Sequence, residues 1–265
     1  MGSRTSIEWT DTTWNPVTGC DRVSPGCEHC YAATMARRLR AMGHPRYQRD
    51  GNPVTSGPGF GVSVHPEALS LPYSWRAGRR VFVNSMSDLF HAQVPVEVIR
   101  QVLAVAADTP QHTYQVLTKR SRRLRRLAEV LDWPVNVWVG VSVEDAGHLY
   151  RVEDLTAVPA SVRFLSAEPL LGPLVAAVGP CLDVSGLKWV ITGGESGPGA
   201  RSCQPSWVRA IRDVCEMGSV AFFHKQWGGA RPRVAGRLLD GRTYDEFPPV
   251  PAASETVSPQ GDYST

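Results

Sequence analysis

The sequence predicts an α/β fold: a (β/α) barrel, TIM-like or partial, of about seven parallel strands with helices outside. Short runs rich in valine, isoleucine and aromatic residues alternate with segments of helical periodicity. The strand runs are apolar throughout, as in a parallel sheet covered by helices. The length of 265 residues is typical of one such barrel.

Taken in order, a short first strand is expected near residues 7–9, and a helix follows the cysteine-rich stretch. Further strands are expected at residues 81–85, 114–119, 137–143, 162–168, 188–194 and 220–228. Helices are expected at residues 96–108, from about 120 to 131, around 148–155 and at 206–218. Ser206 is a plausible cap for the last helix and Gly218 its stop.

The barrel domain is predicted to span residues 1–230, with a Gly/Pro-rich insertion at about 45–75 that we expect to be a lid or substrate loop. Residues 231–265 are rich in proline and weakly periodic, which predicts a largely disordered tail.

Composition favours a globular cytoplasmic protein. Hydrophobic residues make up 42% and charged residues 20% of the chain, and no apolar run is long enough to span a bilayer. The first ten residues lack the layout of a secretory signal. Met1-Gly2 with Ser6 superficially permits myristoylation, but that pattern is common by chance.

A basic run occupies residues 119–126, where six of eight residues are Lys or Arg. The net charge of +3 is too small to indicate a nucleic-acid partner by itself. The run is therefore either a solvated helix face or a patch that contacts phosphates.

Polar residues sit where successive predicted strands end. They are Asn84, Ser85, Ser87 and Asp88; Thr118 and Lys119; Ser142 and Glu144; Ser166 and Glu168; Glu195 and Ser196; and Lys225 and Gln226. Helix capping would explain one or two of them. Because the active site of a (β/α) barrel lies at the carboxyl ends of its strands, the set predicts a functional face there.

Three of the six cysteines, Cys20, Cys27 and Cys30, form a C-x6-C-x2-C pattern. In a chain without a secretory signal, such a set is better explained by metal binding than by disulfides. Three thiolates can hold three corners of an iron–sulfur cubane and leave one iron open. A zinc site completed by a distant residue such as Cys203, or buried unligated thiols, are the alternatives.

The cysteine loop resembles that of radical S-adenosylmethionine proteins, particularly the spore photoproduct lyase-like branch. The resemblance rests on Asn15-Pro16, Gly19-Cys20 and the stretch 27–32, with Leu117-Thr118-Lys119 as a further match. The first gap is longer than the commonest C-x3-C-x2-C spacing, and His29 replaces an aromatic residue usual before the third cysteine.

Residues 6–229 also resemble a phage- and bacteria-borne family of three-cysteine-motif proteins (Gp37/Gp68-like, DUF5131). The matching blocks, in order, are EWTDTTWNPVTGC, FVNSMSDLFH, QVLTKR, VWVGVSVED, RFLSAEPLLGP, TGGESGPGAR and FHKQWG.

These resemblances imply a [4Fe–4S] cluster on Cys20, Cys27 and Cys30, with S-adenosylmethionine bound at the open iron and cleaved to a 5′-deoxyadenosyl radical. The implied cofactor-binding residues are Ser85, Ser87, Asp88, Thr118, Gly193, Gly194 and Glu195, with Asp88 and the two serines at the methionine amino group. The Gly193-Gly194 pair is equally explained as a tight turn that needs glycine. Glu144, Glu168 and Lys225 are the candidate catalytic residues, for substrate binding or proton transfer.

The implied partners are an electron donor such as flavodoxin or ferredoxin and a nucleic-acid or nucleotide substrate, reached through the run Lys119–Arg126. No membrane partner is expected. The alternative is a zinc- or cluster-stabilised phage accessory or nucleic-acid-binding protein without turnover.

Overall fold

The computed structural model describes residues 5–249 apart from residues 177, 179 and 180. Its elements, in chain order, are β1 (Thr12–Trp14), β2 (Val17–Thr18), α1 (Tyr31–Ala41), β3 (Ser63–Val64), β4 (Arg80–Val83), α2 (Val96–Asp108), β5 (Thr113–Thr118), α3 (Ser121–Leu127), β6 (Val137–Ser142), α4 (Tyr150–Thr156), β7 (Val162–Ala167), β8 (Trp189–Gly193), α5 (Pro205–Met217), β9 (Ala221–Gln226) and α6 (Pro232–Ala235).

Seven strands form one parallel sheet in the order β1-β4-β5-β6-β7-β8-β9. Helices α2, α3, α4 and α5 each connect one strand of this sheet to the next. Within the described residues β1 and β9 are the two edges, so the sheet is a partial, open barrel. The predicted class, with about seven parallel strands, is confirmed.

Two local expectations were wrong. The first strand is β1 rather than residues 7–9, because Thr12 pairs with Val81 and Asp11 is tied to Arg80. Gln204 rather than Ser206 occupies the N-cap position of α5, and its side chain makes no capping hydrogen bond. Pro205 takes the first helical position, where a missing N–H costs nothing.

Alternation along the strands separates two apolar layers. On β6, Val137, Val139 and Val141 belong to the main core, while Trp138 belongs to a second cluster on the opposite face. That second cluster consists of Trp9, Phe82, Trp138, Val162, Phe164, Trp189, Ile191 and Phe223. It fills the concave face near the amino ends of the strands, so the polar residues that follow it in sequence lie at the carboxyl ends.

The chain beyond residue 230 continues the fold, in contrast to the predicted tail. The His224 backbone N–H donates to the Tyr244 carbonyl. The Phe247 ring lies 5.0 Å from the ring of Trp189, and the Arg80 guanidinium stacks on the face of Phe247. This segment packs against the sheet because Phe247 adds to the aromatic cluster on the concave face. The predicted tail from residue 250 onward lies outside the described residues.

Candidate metal centre

The cysteine loop, residues 19–30, lies over the carboxyl ends of the sheet. Gly19 forms a parallel bridge with Ser87, which follows β4. A Cβ on Gly26 would lie 3.3 Å from the Glu144 carboxyl carbon, after β6, and 3.3 Å from Pro169, after β7. The cysteine loop therefore lies on the face where these strands end, and a functional role for the polar residues there stays a prediction.

The three thiols are free and half-buried, and they come from three different local structures. Cys20 follows β2, Cys27 ends the short 3-10 turn Pro25–Cys27, and Cys30 occupies the N-cap position of α1. Cys20 and Cys30 pack against the small apolar cluster that includes Phe60 and Met86.

The three free thiols of the loop are a ligand type that both an iron–sulfur cluster and a zinc ion take. Across the described part of the chain, no three His, Cys, Asp or Glu side chains are grouped to hold one metal ion. A structural zinc site needs four ligands that converge on one point. A cubane binds each thiolate at a different iron, so three cysteines on one loop fit three of its corners.

Cys20 is contacted by a guanidinium that the sequence did not single out. Arg120 Nη1 lies 3.3 Å from the Cys20 sulfur and 2.9 Å from Asp88 Oδ2. Arg120 Nη2 donates to the Asp21 carbonyl oxygen at 3.0 Å. Burial raises the pKa of the Cys20 thiol to about 12, and the charge of Arg120 acts in the opposite direction.

Asp88 is buried, and both its carboxylate oxygens have protein partners. Oδ1 accepts from the Thr118 hydroxyl at 2.7 Å and from the Phe90 N–H at 2.9 Å. Oδ2 accepts from the Lys119 N–H at 3.1 Å as well as from Arg120. Asp88 thus joins the end of β4 to the end of β5.

The other predicted cofactor-binding hydroxyls are also engaged. Ser85 Oγ donates to Asn15 Oδ1 at 3.2 Å, and Ser87 Oγ donates to the Val17 carbonyl at 3.0 Å. Both bonds fasten the chain that leads into the cysteine loop. In the structure, Asp88, Thr118 and the two serines each make hydrogen bonds that hold neighbouring segments together. Contact of these residues with a cofactor stays a prediction.

The Gly193-Gly194 pair allows close packing of β8 against its neighbours. A Cβ on Gly193 would lie 2.5 Å from Glu168 Oε1, and one on Gly194 would lie 2.0 Å from the Trp227 carbonyl oxygen. Any side chain at Gly194 would overlap backbone. The Gly194 N–H is bonded to the Gln226 carbonyl. These contacts favour the structural interpretation of the two glycines.

Glu195 links the end of β8 to the cysteine loop. The carboxylate is buried, and its Oε2 lies 2.9 Å from His29 Nδ1 and accepts from the Arg201 backbone N–H at 2.9 Å. Although burial opposes the shift, hydrogen bonds from Arg201 and His29 lower the pKa of Glu195 to about 2. The Glu195 carboxylate is therefore ionised and hydrogen-bonded to His29 of the loop and to Arg201.

Arg201 completes that link and was not predicted from the sequence. Its guanidinium donates to Glu28 Oε2 at 3.0 Å, to the Pro25 carbonyl at 2.8 Å and to Glu195. Its place in the block TGGESGPGAR was the one available signal.

The three candidate catalytic residues fall into two environments. Glu168 Oε1 pairs with Lys225 Nζ at 2.9 Å, and the Ser166 hydroxyl donates to Glu168 Oε2 at 3.3 Å. Glu144 is fully buried and accepts from Arg151 at 2.8 Å. Burial acts to raise the pKa of Glu144, but the charges of Lys119 and Arg151 hold it below its ordinary value.

The Gly/Pro-rich insertion packs on the cysteine loop. Strand β3 pairs with β2, and the Cys20 N–H donates to the Phe60 carbonyl at 3.2 Å. The hydroxyls of Thr55 and Ser56 donate to Asp21. A cavity of about 180 Å³ separates the insertion from the loop and α1, and Cys30 is among its lining residues. A role of the insertion as a lid or substrate loop stays a prediction.

The basic run divides into inward and outward side chains. Arg120 and Arg123 point inward, and Arg123 donates to the carbonyls of His91 and Val94. The side chains of Arg122, Arg125 and Arg126 are exposed.

Two comparisons show what the chain is similar to. The family model described as "Protein of unknown function (DUF5131)" matches residues 4–248. Among solved structures, spore photoproduct lyase complexed with dinucleoside spore photoproduct aligns at 9% identity with a TM-score of 0.46, covering 81% of this chain and 63% of the lyase. A double mutant of that lyase with bound AdoMet aligns at 11% identity and a TM-score of 0.45, with the same coverage.

The chain thus spans less than two thirds of the length of the lyase structures that it resembles. No curated protein matches the sequence. Because the family model covers nearly the whole chain, the protein belongs to the DUF5131 family.

Proposed function

We propose that this protein is a radical S-adenosylmethionine enzyme with a [4Fe–4S] cluster on Cys20, Cys27 and Cys30. The observation that carries the proposal is the cysteine loop itself: three free, half-buried thiols on one loop that lies over the polar strand ends of a partial barrel. When bound, the cluster supplies the electron that cleaves the sulfonium of S-adenosylmethionine to methionine and a 5′-deoxyadenosyl radical.

The chain's own residues would hold and shield this chemistry. Hydrogen bonds hold the loop at three points. Arg120, paired with Asp88, contacts Cys20; Arg201, paired with Glu195, contacts the turn before Cys30; and the insertion contacts Asp21. The aromatic cluster closes the concave face below the strand ends. An apolar layer below the strand ends would limit the access of water from that side to a reactive carbon.

Glu168 and Lys225 are the candidate substrate-binding and proton-transfer groups. Their side chains are 14% and 23% exposed, and they form an ion pair at the ends of β7 and β9. A substrate that displaces this pair gains a cationic donor at Lys225 Nζ and a carboxylate acceptor. Glu144 keeps its bond to Arg151 and acts instead on the shape of the loop around Gly26.

A nucleic acid or nucleotide is the substrate class that we propose, because Arg122, Arg125 and Arg126 leave exposed positive charge on α3. A small reducing protein such as flavodoxin or ferredoxin would supply the electron. We place the protein in the cytoplasm, where thiols stay reduced. The described chain contains no helix with both the length and the apolarity of a membrane span.

Anaerobic reconstitution with iron and sulfide tests the proposal. The reconstituted, dithionite-reduced chain should convert S-adenosylmethionine to 5′-deoxyadenosine and methionine, detected by chromatography. Cys27→Ala should lose most iron and all cleavage, while Cys181→Ala, at an exposed free cysteine, should keep both. A fully loaded, reducible cluster that neither binds nor cleaves the cofactor would contradict the enzymatic proposal. Colourless protein that takes up zinc would indicate the non-catalytic alternative.

A further inference from the structure

Arg120 is the one charged side chain for which the structure records a hydrogen bond to a sulfur of the three loop cysteines, among the residues it describes. Its side chain is only 12% exposed. Arg120 directly follows the Thr118-Lys119 pair at the end of β5. Two acceptors besides the sulfur hold its guanidinium: Asp88 Oδ2 and the Asp21 carbonyl.

These contacts make the guanidinium a fixed feature rather than a mobile surface charge. Asp88 is itself held by Thr118 and two backbone N–H groups, so it cannot turn away without breaking bonds at the ends of β4 and β5. The fork of Arg120 therefore presents one N–H to Cys20 in a defined direction, as planar guanidinium groups do.

We propose that Arg120 is a positioning residue that donates to the Cys20 sulfur and raises the reduction potential of the cluster, while Asp88 orients it and partly offsets its charge. This inference rests on the proposed function, because it needs a cluster on Cys20. Reduction adds negative charge to a cluster, so a nearby cation and a hydrogen bond to a ligating sulfur favour the reduced form.

The two residues should act in opposite directions. Removal of the Arg120 charge takes away the cation and the N–H donor, which lowers the potential. Removal of the Asp88 charge leaves the guanidinium less neutralised, which raises it. A purely structural role would not produce opposite shifts, since both changes break the same ion pair.

Arg123 offers a matched control on the same helix. It is also partly buried, but it donates to the carbonyls of His91 and Val94. Arg123→Gln removes the same charge and similar packing without touching a cysteine.

The test is a redox titration of the reconstituted chain, followed by electron paramagnetic resonance in the absence of S-adenosylmethionine. Arg120→Gln should shift the midpoint to more negative values and Asp88→Asn to more positive values, each by more than Arg123→Gln. Arg120→Lys, which keeps the charge but loses the fork, should fall between wild type and Arg120→Gln. Iron and sulfide are quantified for every variant.

Loaded variants whose midpoints match that of Arg123→Gln would overturn the inference and leave the proposed function intact. Shifts of the same sign for Arg120→Gln and Asp88→Asn would also overturn it. If Arg120→Gln does not fold, Asp88→Asn and Arg120→Lys carry the test by the same criteria. Failure of the wild-type chain to take up a cluster would overturn the inference and the proposed function together.

Discussion

At the residue scale, buried carboxylates hold the cysteine loop in place. Asp88 and Glu195 each accept several hydrogen bonds, and each has one arginine partner that reaches the loop. Removing the charge of either carboxylate leaves its arginine unpaired in a partly dry environment. The loop's geometry is therefore sensitive to single changes at positions distant from it in sequence.

Because Glu195 holds the loop through its charge, its contribution to the unfolding free energy should depend on pH. Its pKa falls from an ordinary 4.5 to about 2 in the folded chain. The stability that it contributes is complete above the unfolded pKa and is lost as pH falls toward the folded one. In metal-free protein, the difference in unfolding free energy between wild type and Glu195→Gln should shrink by about 2 kcal/mol from about pH 5 to pH 3. Urea unfolding across this range measures it, and parallel curves for the two chains would contradict it.

At the element scale, the strand ends show how far sequence reasoning reaches. Periodicity located the sheet strands from β4 onward, because valine-rich parallel strands are distinctive. The polar strand-end pattern predicted which face of the sheet the cysteine loop covers, and a functional role for that face stays a prediction. The pattern could not tell that Asp88 is bonded to Thr118 and Arg120, since hydrogen-bond partners from different strands are not visible in local sequence. Arg201 was missed for the same reason.

The end of β8 provides a test of close packing between elements. A methyl group at Gly194 would lie 2.0 Å from the Trp227 carbonyl oxygen, and backbone cannot move aside cheaply. Gly194→Ala should lower the unfolding free energy by about 1–3 kcal/mol, the range for overpacked sites. Gly172→Ala, whose new methyl would meet its nearest neighbour at an ordinary 3.4 Å, is the matched control. Equal stability of the two variants in urea would show that β8 and β9 separate easily here.

Helix α3 provides a test of the nucleic-acid proposal. Arg122 and Arg125 are exposed, although Arg125 also lies 3.4 Å from Asp154. If they contact phosphates, the affinity for duplex DNA should fall steeply with salt, and Arg122→Glu with Arg125→Glu should flatten the slope by about 0.9 for each lost contact. A chain with Arg100→Glu and Arg209→Glu, on α2 and α5, has the same net charge. An equal loss of slope in both double variants would assign binding to net charge alone.

At the scale of the whole molecule, an open sheet would expose its concave aromatic face to water unless other segments cover it. Two segments outside the seven strands supply this cover. The Trp9 ring lies 4.7 Å from Phe82, and Phe247 lies against Trp189 and Phe223. Both segments are remote in sequence from the strands that they cover, which is why periodicity assigned one of them to a strand and the other to a tail.

The cover by Phe247 should contribute to the stability of the entire fold rather than to the C-terminal segment alone. Its ring contacts side chains from β8 and β9 and supports the Arg80 guanidinium at the start of β4. Phe247→Ala should therefore lower the global unfolding free energy by about 2–3 kcal/mol, less than a fully buried phenylalanine because the ring is half-buried. Leu238→Ala is the control, since that side chain in the same segment is exposed.

Urea unfolding followed by tryptophan fluorescence measures both variants, and Trp9 and Trp189 report from within the cluster. A Phe247→Ala chain as stable as Leu238→Ala would mean that the partial barrel closes its concave face without the C-terminal segment.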